Sequence, residues 1–176
     1  LDEPGLVSDN VPATPAEIAD AVAAAYRTLT AVPSRPQILV TTPYGDPGAL
    51  LETLAATDIE ALHLDLVRGS VPTRPIPGLE TKTLAAGVVD GRNIWRADLA
   101  DLLGVLQSLR ANVTSEVAVA TSTSLQHVPH DTADEHWADP TLDAALHSWL
   151  AFADQKVREV VTLAHGLVDG PDAVAS

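Results

Sequence analysis

Residues 37–67, QILVTTPYGDPGALLETLAATDIEALHLDLV, decide the fold class. Gln37–Thr42 is a short run of apolar and β-branched residues closed by Pro43-Tyr44-Gly45-Asp46-Pro47-Gly48, and Ala61–Val67 is a second such run. Ala49–Ala56 between them reads as a helix, so the unit is strand, turn, helix, strand. A crossover of that kind brings the second strand back parallel to the first.

The alternation continues in both directions. Upstream, Thr14-Pro15-Ala16-Glu17 is a capping box with Pro at the first helical position, and Ile18, Val22, Ala25, Tyr26 and Leu29 follow at helical spacing until Pro33–Pro36 end the helix. Downstream come a Pro-rich loop at Gly69–Gly78, a strand at Thr83–Val89, a helix from Asp98 to about Leu109 and a strand at Glu116–Ala120. A polar loop, Thr121–Asp139, then leads to one long helix expected over Pro140 to about Leu167 and ended by Gly170-Pro171. In that helix Trp149, Leu150, Phe152, Ala153, Val157, Val160, Val161 and Leu163 read as the core-facing stripe, with Lys156, Arg158 and Glu159 on the outer side.

The class is therefore α/β, built from parallel (β/α) units. Four strands plus the stub Leu1–Pro4 make about half of a TIM (β/α)8 barrel, which typically needs roughly 250 residues. The expectation is that residues 1–176 are part of one such barrel whose upstream strands are missing. A small open doubly wound sheet is the alternative, and the start at Leu1 with no preceding strand favours the barrel. A half barrel leaves its sheet edges open, so an isolated chain is expected to self-associate unless they are covered.

Composition narrows the function. The net charge is −14, from 24 acidic against 10 basic residues, which argues against nucleic acid and anionic membrane surface as partners. No apolar run approaches the length of a membrane span and LDEPGLVSDN is unlike a signal peptide, so a cytoplasmic location is expected. With no Cys, thiolate zinc ligation within the chain is impossible.

In parallel α/β sheets function sits at the carboxyl ends of strands. Here those ends carry Asp2-Glu3, Thr41-Thr42-Pro43-Tyr44, Asp65 with Arg68, Asp90-Gly91-Arg92-Asn93, and Ser122-Thr123-Ser124 with His127. Arg68, Arg74, Lys82, Arg92 and Arg96 concentrate half the cations of the chain in one stretch. Arg68 and Arg92 follow adjacent strands and could converge on a carboxylate, or they could pair with Asp65 and Asp90 and merely hold the loops. His127, His130 and His136, with Asp131, Asp134 and Glu135 between them, suggest a metal site, but no pair has the i, i+4 register, and no metal is expected there. Ser124 with His127 would suit a hydrolase, yet Ser124 lies in no G-x-S-x-G elbow.

Several segments, in this order, resemble the N-terminal half of cobalamin-independent methionine synthase: LDEP at 1–4, LHLDLVRG at 62–69, GVVDGRNIWRADL at 87–99, STSLQHVP at 122–129 and LDAALHSWLAFADQKVREV at 142–160. The resemblance spans essentially the whole chain, and GVVDGRNIWRADL and WLAFADQKV are its specific parts. It implies two face-to-face (β/α)8 barrels, with the chemistry in the C-terminal one. There a zinc ion held by His, Cys, Glu and Cys would bind the homocysteine thiolate, which takes the methyl group of a 5-methyltetrahydrofolate polyglutamate. This chain would then be the later part of the N-terminal, non-catalytic barrel, with no catalytic residue and no cofactor of its own. Its partner would be the C-terminal barrel of the same polypeptide. Thr123 falls where even the N-terminal copy usually keeps a Cys, Gln126 departs from the usual Leu, and Pro43 interrupts a Thr-Tyr-Phe run. The folate-tail lysines of the family would lie in earlier segments, so Arg68, Arg74, Arg92 and Arg96 are left as the attractive patch, and from the strand ends Arg68, Arg92, Asn93, Arg96 and His127 are the candidates to meet the folate tail or the other barrel. A stand-alone binding or assembly module derived from the family is the alternative.

Overall fold

The structure, a computed structural model, describes residues 1–114 and 116–174. Four strands, β1 (Leu39–Thr42), β2 (Ala61–Asp65), β3 (Thr83–Val89) and β4 (Val117–Thr121), form one parallel sheet in the order 1-2-3-4. The helices are α1 (Pro15–Thr30), α2 (Leu50–Ala55), α3 (Leu99–Asn112), α4 (Pro140–Trp149) and α5 (Ala153–Asp169). Leu1–Glu3 runs beside β1 as a fragment of a further parallel strand, with Asp2 bridged to Thr41 and the Thr41 N–H donating to the Leu1 carbonyl at 2.8 Å.

An order without reversal decides between the two architectures. Right-handed crossovers that always step the same way keep their helices on one face, whereas a doubly wound sheet must reverse at a switch point. No reversal occurs among these strands, so the arrangement is consistent with half of a (β/α) barrel wall.

The register shows the two faces. Val40, Leu62, Leu84 and Val117 align across the sheet, as do Thr42, Leu64, Ala86 and Val119, and nearly all of these pack into the core beneath the helices. The intervening row, Thr41, His63, Ala85 and Ala118, faces the other way and is small or polar. β3 carries an irregularity between Gly87 and Val89. A Cβ at Gly87 would lie 2.6 Å from the Leu64 carbonyl oxygen and 2.7 Å from His63 Nε2, so only glycine lets β2 and the Ser122 segment approach here.

The expected long helix is two. Capped by Asp139, whose carboxylate accepts from the Thr141 and Leu142 N–H groups, α4 stops at Trp149, and Leu150–Phe152 run extended. The loop after β3 docks into that break: Arg96 N–H donates to the Trp149 carbonyl at 2.8 Å, and Ala151 N–H to the Ile94 carbonyl at 2.9 Å. These ties to another segment replace helical bonds that the local pattern favoured. The break also shifts the helical phase. Trp149 is 57% exposed, Val157 and Val161 are about half exposed, while Lys156 and Glu159 are buried with Leu163 and Leu167. The reading that placed Lys156 and Glu159 outside is corrected.

At the amino ends of the strands, Arg35 grips Glu60 with two hydrogen bonds of 2.8 and 2.9 Å, and the Ile38 N–H donates to the same carboxylate at 2.7 Å. The guanidinium, and then that N–H, hold the Glu60 carboxyl down at about 2. The folded chain thus releases this proton more readily than the unfolded one. The contribution is full above the ordinary carboxyl value of 4.5 and is lost as pH falls towards 2. Acid unfolding should therefore be steeper across that window for the wild type than for Glu60→Gln; parallel curves would show that the pair contributes nothing.

Candidate functional site

An open cleft of about 520 Å³ lies at the carboxyl ends of the strands, where the polar row of the sheet meets the loops. Asp2, Thr41, Tyr44, His63, Thr123 and Ser124 contribute to its lining. Its frame is built from Asp65, which ends β2 and is 1% exposed. One carboxylate oxygen accepts from the Tyr44 N–H at 3.0 Å, and the other from the Val67 and Arg68 N–H groups at 3.0 and 2.9 Å. A single buried anion therefore shapes the loops after both β1 and β2. It also holds Tyr44 in the left-handed region, at φ 79°, which a non-glycine residue adopts only when its surroundings fix it.

Tyr44 is where three loops meet. Its hydroxyl lies 3.0 Å from His127 Nε2, with the two rings edge to face at 5.6 Å. The Arg92 guanidinium carbon lies 5.8 Å from the Tyr44 ring centroid, within reach of a cation–π interaction. His127 and Arg92 are both exposed. The loops after β1, β3 and β4 thus converge on one tyrosine.

Below them, His63 Nε2 lies 2.8 Å from the Thr121 carbonyl oxygen. A carbonyl only accepts, so that nitrogen carries the proton, and burial pushes the imidazole pKa below its usual value. The neutral ring then leaves Nδ1 as a lone pair with no partner, and Thr123 Oγ1 is likewise unpartnered.

The nominated residues divide. Arg68 and Arg92 stand on adjacent loops with their guanidinium groups unpaired among the described residues. Asp65 and Asp90 take their main-chain N–H groups instead, Asp90 accepting from Arg92 at 2.8 Å. His127 joins Arg92 at Tyr44. Asn93 turns inward: its Oδ1 accepts from Lys156 Nζ at 3.0 Å and its amide donates to Asp90 at 2.9 Å. Arg96 reaches α4, donating to the His147 carbonyl at 3.1 Å. Arg74 only approaches Glu52, at 3.8 Å with both side chains largely exposed, and Lys82 is buried on the Thr57 and Ile59 carbonyls.

Sequence reasoning missed the support behind these loops. Lys156 Nζ donates to Asn93 Oδ1 and, at 3.2 Å, to the Trp95 carbonyl, while Glu159 Oε1 accepts from the Ala97 N–H at 3.0 Å. The signal was present: 156, 159, 163 and 167 repeat at helical spacing, but two of the four are charged.

A thiolate zinc centre of the kind the resemblance implies elsewhere does not fit here. The strand ends offer Thr41, Thr42, Pro43, Asp65 and Thr123, none of them a thiol, and Asp65 already accepts three N–H groups.

Comparison with known proteins bears on this architecture. Residues 1–114 match the family described as the cobalamin-independent synthase, N-terminal domain. The 5-methyltetrahydropteroyltriglutamate–homocysteine methyltransferase of Mycobacterium tuberculosis is 51% identical over 176 residues, 99% of this chain and 22% of that protein. Proteins of the same name from Mycobacterium leprae and Rhodococcus jostii are 49% and 47% identical, again over 99% of this chain and 22% of their own length. The chain therefore spans under a quarter of the relatives it matches.

Proposed function

The chain belongs to the cobalamin-independent methionine synthase family, and from that premise we propose that it is a segment of an enzyme transferring a methyl group from 5-methyltetrahydrofolate polyglutamate to homocysteine. Residues 1–176 are part of one (β/α)8 barrel completed by preceding strands. The segment is scaffold and domain interface and does not carry the reacting atoms. The reaction, with its zinc ion, belongs to a C-terminal barrel of the same cytoplasmic polypeptide. No described helix is long and apolar enough to cross a membrane.

The observation that supports a binding role is the pair of cations at adjacent strand ends, Arg68 after β2 and Arg92 after β3 on the Tyr44 ring, neither with an ionic partner among the described residues. In a chain of net charge −14, they are where a carboxylate-rich tail would be attracted. Arg96 and Asn93, which are tied to α4 and α5, hold the loop rather than meet the tail.

The test uses the full-length methyltransferase with Arg68→Ala and Arg92→Ala together. Two exposed ionic contacts of about 0.5–1 kcal/mol each amount to roughly a tenfold loss of affinity. That loss should appear with triglutamate folate and be small with monoglutamate. Equal affinities for both tails, with unchanged association between the barrels, would make the pair structural.

A further inference from the structure

Beyond methyl transfer, the structure assigns a second site to this chain: a divalent transition-metal site of the zinc class formed by His136, Asp143 and His147. One ligand atom from each lies within 4.8 Å of the other two. The site joins the end of the loop after β4 to α4, with Asp143 in its first turn and His147 in its last. Asp143 and His147 stand four apart on that helix, so their side chains share one face, and His136 approaches from the loop. The pattern within the loop alone does not reach His147, which lies on the helix.

Two further contacts set the ligands in place. The Trp137 N–H donates to Asp143 Oδ1 at 2.9 Å, fixing the carboxylate, and the Trp137 ring lies edge-on to His147 at 5.6 Å. His147 Nε2 lies 3.8 Å from Asp143 Oδ1 and 3.2 Å from the Glu135 carbonyl oxygen. Held ligands of this kind are what metal sites use to orient their first ring of donors.

The donor set selects the cation. Two imidazoles and one carboxylate suit zinc and its neighbours, whereas calcium and magnesium prefer all-oxygen shells. Zinc bonds of about 2.0–2.1 Å place tetrahedral donors roughly 3.3 Å apart, so the cluster must contract by an ångström or so. His136 is exposed on the loop and free to close that gap, the cation takes the place of the proton that His147 Nε2 gives to the Glu135 carbonyl, and water can take the fourth position. A bound cation would clamp the loop to the helix whose His147 carbonyl accepts Arg96.

The experiment titrates the full-length protein with Zn²⁺ against a chromophoric chelator, comparing wild type with the double variant His136→Ala, His147→Ala. Any zinc held by the catalytic barrel is common to both and cancels. Wild type should bind one equivalent more, and Asp143→Asn should weaken that equivalent about tenfold or more; equal stoichiometry in wild type and double variant overturns the site. Trp137 gives a readout that needs no ligand variant. Co²⁺ should quench its emission, taken as the difference between wild type and Trp137→Phe, and no quenching likewise overturns the site. Neither readout involves folate, so this outcome is separate from that of the arginine pair.

Discussion

Lys156→Ala is expected to destabilise the fold by about 3–5 kcal/mol, from the lost hydrogen bonds of a charged donor together with the cavity left by its buried stem. Lys156 is 1% exposed, and its ammonium donates to Asn93 Oδ1 and the Trp95 carbonyl. Burial holds its pKa below the usual lysine value, while the Glu159 and Asp90 carboxylates favour the charged form. Truncation takes the ammonium donor from Asn93 Oδ1 and the Trp95 carbonyl, removes the positive charge that favours the Glu159 and Asp90 carboxylates, and opens a cavity where the stem packed. Lys156→Met restores the volume without the charge and should recover part of the loss. Denaturant unfolding of both variants separates the two contributions. If Lys156→Ala cost under about 1 kcal/mol, the loop after β3 would be held by its main-chain bonds alone.

Asp65→Ala comes next, at about 3 kcal/mol or more. A buried carboxylate that accepts three main-chain N–H groups cannot be replaced by water, because the residue is almost wholly enclosed. The loss should be local as well as global. Without Asp65 the Tyr44 N–H loses its acceptor at φ 79°, so the junction with His127 and Arg92 should loosen. Hydrogen exchange at the Tyr44, Val67 and Arg68 amides tests this: all three should lose protection, and unchanged protection would mean that the two loops are fixed by other contacts.

Much of the fold was legible because it depends on local pattern. Runs such as Leu39–Thr42 and Ala61–Asp65, each flanked by turn residues and a helix, mark parallel strands without tertiary information. The strand order could not be read in the same way, since a unit that steps forward and one that steps back look alike in sequence. The helix break at Leu150 was hidden for a related reason. Nothing in WLAFADQKV stops a helix, and the Ile94–Arg96 loop that holds the break open lies more than fifty residues earlier. The two segments that carried the family resemblance, GVVDGRNIWRADL and WLAFADQKV, prove to be one structural unit, joined through Ile94 with Ala151, Arg96 with Trp149, and Asn93 with Lys156. In the candidate site, position after a strand nominated Arg68, Arg92, Asn93 and His127 alike, but could not tell which would face outward. Asn93 looked equally available and is spent on Lys156 and Asp90.

The most direct test of the account is the intact denatured mass of the natural polypeptide that carries these residues. Membership of a methyltransferase predicts a single chain several times longer than 176 residues, in keeping with relatives of which this segment covers 22%. A mass equal to that of these 176 residues alone would contradict it, because a polypeptide with no cysteine and no fitting zinc site at its strand ends could not carry out the reaction as proposed.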